Sequence, residues 1–237
     1  MSWHLGRLAG FDTESTGVDV ETDRIVTACI VEVGGGTPPL TANWLSDVDG
    51  MEIPKAASDI HKVTTEKARA EGAPAAEVVA QLVAGLTQVV LAGTPLVIMN
   101  APYDLTLLDR EARRHGITPL TDTVGDELRV VDPRVVDKRL DMYRRGKRTL
   151  TDLCRHYQVK LDGAHSADAD AIAACRVAWR LGEVFPQIAG PVEGLHRLQV
   201  GWHAEWAADF QQHLRGKGET DAVIDGSWPL RPVGGAV

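Results

Sequence analysis

Cysteine is scarce in this sequence. Cys29, Cys154 and Cys175 are the only three in 237 residues, widely spaced and without a CxxC pair. This excludes a disulfide framework and a cysteine-rich zinc site, and predicts reduced core residues in a cytoplasmic protein. Long apolar runs are also missing. The most apolar stretch, Val89 to Met99, is broken by Gly93, Thr94 and Pro95, well short of the ~18 apolar residues that a membrane span needs. The opening "MSWHLGRLAG" has no apolar signal core. No repeat or low-complexity block is present. Positive charge is in deficit: 25 Lys and Arg stand against 33 Asp and Glu, a formal net charge of -8. A protein that grips nucleic acid through a broad basic face usually has the opposite balance. A polyanionic ligand would have to be met locally, or through bridging metal cations.

What is there reads as an ordinary globular protein, 44% hydrophobic and 24% charged. The length suits one sizeable domain with an elaboration. "RLAGFD", "RIVTACIVEV" (24–33) and "LTANWLSDV" (40–48) read as three strands joined by short turns, an antiparallel meander. A loop and a short helix with Thr64 as N-cap follow. "APAAEVVAQLVAGLTQVVLAG" is a long amphipathic helix between Pro74 and Gly93. "TPLVIMN" is a short buried strand, and "APYDLTLLDREARRHG" a helix closed by Gly116. A short strand over 128–131, two helical segments and a long helix closed by Pro186 complete the order β-β-β-α-β-α-β-α-α. This predicts an α/β fold: a mixed β-sheet with an antiparallel three-strand start, then β-α units, and helices on its faces. We expect one domain over 1–187 and a C-terminal helical extension over 188–237. In that extension Trp202 and Trp206, four apart, share a helical face, either packed on the domain or offered to a partner.

Acids occupy three unusual places. "GFDTESTG" puts Asp12 and Glu14 where an apolar strand runs out. Residues i and i+2 of a strand point to one side, so both carboxylates aim at one point. "NAPYDLTLL" starts a helix with Asp104, which alone could simply favour the helix dipole. "GAHSADADA" holds His165, then Asp168 and Asp170 in the first turns of a helix. Those two acids lie roughly 200° apart around the axis, so one of them faces any given site. His165 alone could be a loop or cap residue. Taken together, four carboxylates and a histidine at one end of a sheet can make a site for two hard cations, Mg²⁺ or Mn²⁺. Two such ions ~4 Å apart clamp an in-line phosphoryl displacement, and a histidine has the pKa to deprotonate the attacking water.

The three motifs, in this order and spacing, resemble the DnaQ-like 3′→5′ exonucleases of the DEDDh branch over about residues 5 to 185. That family includes the proofreading subunit of bacterial DNA polymerase III, ribonuclease T and oligoribonuclease. "FDTESTG", "NAPYDL" and "HSADAD" match its three motifs, and "IPKAASDIHKVT" resembles a further family loop, with Lys62 where Gly is usual. The resemblance implies a ribonuclease H-like fold with helices on both faces of the sheet. It implies two Mg²⁺, replaceable by Mn²⁺, on Asp12, Glu14, Asp104 and Asp170, with His165 as general base. It implies that Thr13, Ser15, Thr16, Ile60, His61 and Tyr103 contact the 3′-terminal nucleotide. Nucleoside 5′-monophosphates would leave one at a time.

The expected substrate is nucleic acid with a free 3′ end, DNA in preference to RNA, in proofreading or repair. RNA trimming is the alternative, and a non-catalytic binding domain the remote one, since every catalytic position is filled. A polymerase or another repair or replication partner could use the C-terminal extension, although "QQHL" is only a fragment of a sliding-clamp motif. The basic run "MYRRGKRTL" would either touch phosphate or form a solvated loop.

Overall fold

Strand β1 (Arg7–Ser15) sets the architecture. Leu8, Ala9, Gly10 and Phe11 are all buried, so the strand must be covered on both faces. The computed structural model, which describes residues 2–161 and 166–234, contains that cover. β2 (Ile25–Gly34) pairs antiparallel with β1, and β3 (Leu40–Leu45) antiparallel with β2. β4 (Leu96–Val97) and β5 (Val130–Val131) extend the other side in parallel, giving the order β3-β2-β1-β4-β5.

Three helices link the meander to β4: α1 (Lys55–His61), α2 (Thr65–Glu71) and α3 (Ala75–Leu91). α4 (Ala101–Arg114) and α5 (Leu120–Val124) lie between β4 and β5. After β5 come α6 (Pro133–Leu140), α7 (Leu150–His156), α8 (Ala167–Val184) and α9 (Val192–Gly216). Two apolar clusters lie on opposite faces of the sheet. Ala9, Phe11, Ala28 and Ile30 join the cluster of α3 and α4. Leu8, Cys29, Val31, Val97 and Val131 join that of α7 and α8. Alternation along β1, β2, β4 and β5 thus divides each of them between two cores. The three cysteines are free and buried.

The element order agrees with the sequence reading, with local differences. One short helix was expected before residue 72. There are two, separated by Lys62 at φ 64, and Thr64 caps the second by accepting from Lys67 N at 3.2 Å. α5 carried no signal, being only five residues long. "TPLVIMN" keeps two strand residues, because Asn100 at φ 67 turns the chain into α4.

β5 is an edge strand, and α9 covers it. The fully buried Gln199 accepts from Asp132 N at 2.7 Å and donates to Val130 O at 2.9 Å. His196 Nδ1 accepts from Val130 N at 3.0 Å. These side chains satisfy peptide groups that a sixth strand would have paired. Trp202 packs against both cores. The chain then returns to α4, where Arg231 N donates to Thr106 Oγ1 at 3.0 Å. Among the described residues no helix is long and apolar enough to cross a membrane.

Candidate active site

Beyond Phe11 the alternation of β1 continues with polar residues. Asp12 and Glu14 follow Leu8 and Gly10 on the side facing α8. Gly10 lets that helix approach closely: a Cβ there would stand 2.6 Å from Ala171 O and 2.9 Å from Cys175 Sγ. Asp170, one residue before Ala171, is carried to the same place. One carboxylate oxygen from each of Asp12, Glu14 and Asp170 lies within 4.8 Å of the others. Asp168 is not in this group, and its field acts on Cys29 instead.

The odd positions of β1 face α4. Thr13 donates to Asp104 Oδ1 twice, from its amide at 3.0 Å and its hydroxyl at 2.6 Å. Asp104 is buried in the first turn of α4, so these bonds fix its orientation. The Ser15 hydroxyl donates to Gly17 O at 2.7 Å and makes a short hydrogen bond with the Tyr103 hydroxyl. The Thr16 hydroxyl turns inward and donates to Asp23 at 2.6 Å. Ile60 is 52% exposed at the end of α1. His61 beside it is buried, with Nδ1 accepting from Val63 N at 3.2 Å. His165 lies outside the described residues.

The cluster carries an electrostatic cost. Burial, then the fields of Asp104, Asp170 and Glu14, push Asp12 well above the usual carboxylate range. Burial and the fields of Asp170 and Asp104 push Glu14 up to about 7. Burial also raises Asp104, against the hydrogen bonds from Thr13. Among the described residues no Lys or Arg makes an ion pair with Asp12, Glu14 or Asp104. Divalent cations would relieve this repulsion, and an all-oxygen donor set suits Mg²⁺ or Mn²⁺.

A second acidic group, Asp137, Asp141 and His156, has comparable spacing. Its electrostatics differ. The fully buried Asp137 accepts from Arg144 at 3.0 Å, Arg148 at 2.6 Å and the Tyr157 hydroxyl at 2.8 Å. Two guanidinium groups already balance it. Half of the basic run 144–148 is therefore spent on an internal carboxylate.

The sequence reading passed over one organising acid. Asp132, 1% exposed, accepts from the amides of Asn100 at 3.1 Å, Ala101 at 3.0 Å and Arg134 at 2.9 Å. It ties the starts of α4 and α6 together, and its charge is felt at Asp104. "DP" ahead of a helical run was the available signal, an N-cap followed by proline at the first helical position.

One family's sequence model, described as exonuclease (RNase_T), matches residues 9–178. The fold is similar to that of Escherichia coli exonuclease I in complex with a dA16 oligonucleotide, with a TM-score of 0.66, 18% identity, and 77% of this chain and 42% of that one covered. It is also similar to exonuclease I from Methylocaldum szegediense, with a TM-score of 0.64, 18% identity, and 77% and 42% covered. The chain spans less than half the length of these proteins. No curated protein matches the sequence. The family match begins in β1 and ends within α8, so it takes in all four site carboxylates, and the chain belongs to the RNase_T exonuclease family, the DnaQ-like 3′→5′ exonucleases of the ribonuclease H-like superfamily.

Proposed function

We propose that this chain hydrolyses the 3′-terminal phosphodiester bond of single-stranded or mismatched DNA and releases nucleoside 5′-monophosphates in succession. We assign this activity to residues 1–187. The observation that carries the reading is the convergence of Asp12, Glu14 and Asp170 oxygens within 4.8 Å, beside the buried Asp104. The preference for DNA over RNA draws on exonuclease I, whose structures hold DNA oligonucleotides.

In this reading Asp12, Glu14, Asp104 and Asp170 hold two divalent cations, Mg²⁺ with Mn²⁺ as substitute. When bound, such cations neutralise charge on the scissile phosphate and on the leaving 3′ oxygen. The protein's own groups do the rest. Thr13 holds Asp104 in one rotamer through two hydrogen bonds. Ser15 and Tyr103 brace the turn at Gly17, against which the terminal nucleotide is seated. Ile60 and His61 border its base and sugar, and the Thr16 hydroxyl stabilises the turn from inside. His165, assigned through its motif, takes the proton of the attacking water.

The test is a 5′-labelled single-stranded oligonucleotide incubated with Mg²⁺. Shortening from the 3′ end is expected, and loss of activity on chelation or in Asp12→Ala. Full activity after either treatment would overturn the metal assignment. His165→Ala should lower kcat by about 10²–10⁴-fold with the Mg²⁺ requirement unchanged. A higher Mg²⁺ requirement at normal kcat would make it a ligand instead. Matched DNA and RNA strands decide the sugar preference.

A further inference from the structure

Along α6 two cavities of about 490 and about 320 Å³ share Lys138 and Arg148. The larger begins at Met99 and Asn100, directly before α4 and its Asp104. Arg134 lines it and donates to Asn100 Oδ1 at 2.7 Å. Lys147 lines its exposed side. The smaller cavity lies between α6 and α9, beneath Trp202 and Trp206.

The charges along this groove are unequal. Of the carboxylates that line it, Glu205 is occupied by Arg139 at 2.9 Å. Asp209 stands at the far end, on α9. Lys138 has no carboxylate within ion-pair distance among the described residues. Its Nζ stands 3.1 Å from the centre of the Trp206 ring. It is half-buried beside Arg134 and Arg148, and burial lowers its pKa to about 7. A phosphate beside Lys138 would favour its charged form, which burial and the two guanidinium groups oppose. From Trp206 an aromatic row runs on along α9, with Phe210 stacked at 5.5 Å and His213 beyond it at 6.5 Å. A cationic groove leading into aromatic faces is how proteins hold single-stranded nucleic acid without reading its sequence.

We propose that the groove between α6 and α9 is the track for the substrate strand upstream of its 3′ end, with Lys138 and Lys147 meeting phosphates and Phe210 offering a base-stacking face. Trp206 acts as a positioning residue that holds the Lys138 ammonium. The proposal rests on the exonuclease reading for the direction of the strand. α6 lies inside the family match and α9 beyond residue 178, where it ends, so the aromatic side of the track is supplied from outside the matched segment.

The test measures binding of the full chain to 5′-fluorescent DNA strands of three and sixteen nucleotides by anisotropy, in chelator and at several salt concentrations. Lys138→Gln and Lys147→Gln should each weaken the sixteen-mer by about tenfold and the three-mer by less than twofold. Each should also reduce the slope of log affinity against log salt by about 0.7, the value for one phosphate contact on a single strand. Trp206→Leu should lose affinity for the sixteen-mer with the same slope change. Lys147 is exposed, so its variant leaves the packing intact. Equal loss for both lengths, or unchanged affinity in both lysine variants, overturns the track and leaves the groove to a protein partner. Hydrolysis of a p-nitrophenyl ester of thymidine 5′-phosphate by the wild-type chain reports the carboxylate site separately. Failure there counts against the exonuclease reading, while the anisotropy still decides the track.

Discussion

Gly10 shows how one absent side chain lets two elements bring their carboxylates together. It sits where α8 crosses β1, and any Cβ would meet a backbone oxygen at 2.6 Å. Gly10→Ala must push α8 outward and carry Asp170 away from Asp12 and Glu14. Overpacking of this kind costs about 1–3 kcal/mol, and a displacement near 1 Å can cost ~10²-fold in rate. We therefore expect Gly10→Ala to remain folded but to lose about 10- to 100-fold in kcat, read by oligonucleotide hydrolysis beside a thermal melt. Wild-type turnover in a folded variant would show that the contact does not set the carboxylate geometry. Thr13, between the two acids, was read from sequence as a substrate contact. Its hydroxyl also bonds Asp104, a contact no linear pattern could reveal, since the partners are 91 residues apart.

At the scale of elements, α9 acts as a surrogate strand. Gln199→Ala would leave Val130 O and Asp132 N buried without partners, at a cost of about 1–3 kcal/mol. The expected fall in urea midpoint should come with an unchanged m-value, and an unchanged midpoint would refute the edge-capping role. His196 makes the same junction sensitive to pH. Burial lowers its folded pKa below 6.5, and while neutral it accepts a hydrogen bond from the Val130 amide. As pH falls through 6.5 the unfolded chain binds the proton first. The stability from this group is thus complete above 6.5 and lost as pH drops toward the lower folded value. His196→Gln keeps an acceptor and cannot titrate. Its melting temperature should fall less than wild type between about pH 7.5 and about 5.5. A larger fall would rule His196 out as the titrating group.

For the whole molecule, these contacts predict that the segment matching the family is not self-sufficient. Ending the chain at residue 187 removes Gln199, His196 and Trp202, and exposes β5 along its edge. It also removes the return of the chain onto α4. The truncated chain should aggregate or melt well below the full chain, as exposed strand edges do. A monomeric fragment with wild-type melting would show that the extension is dispensable for folding.

The sequence alone determined which acidic residues are candidates for the site and which elements carry them. The D-x-E spacing, the strand-to-helix step at "NAPYDL" and the helix start at "HSADAD" are local patterns, and local backbone periodicity fixes what they can do. Three things were left to the tertiary structure. It brought Asp170, and not Asp168, to Asp12 and Glu14, because Gly10 sets how closely α8 approaches. It assigned Arg144 and Arg148 to the buried Asp137, where the sequence shows only a basic run. It turned the last helix into the cover of an edge strand. Each depends on contacts between segments far apart in the chain, and their geometry follows from packing and the need to satisfy buried polar groups, which no single stretch of sequence encodes.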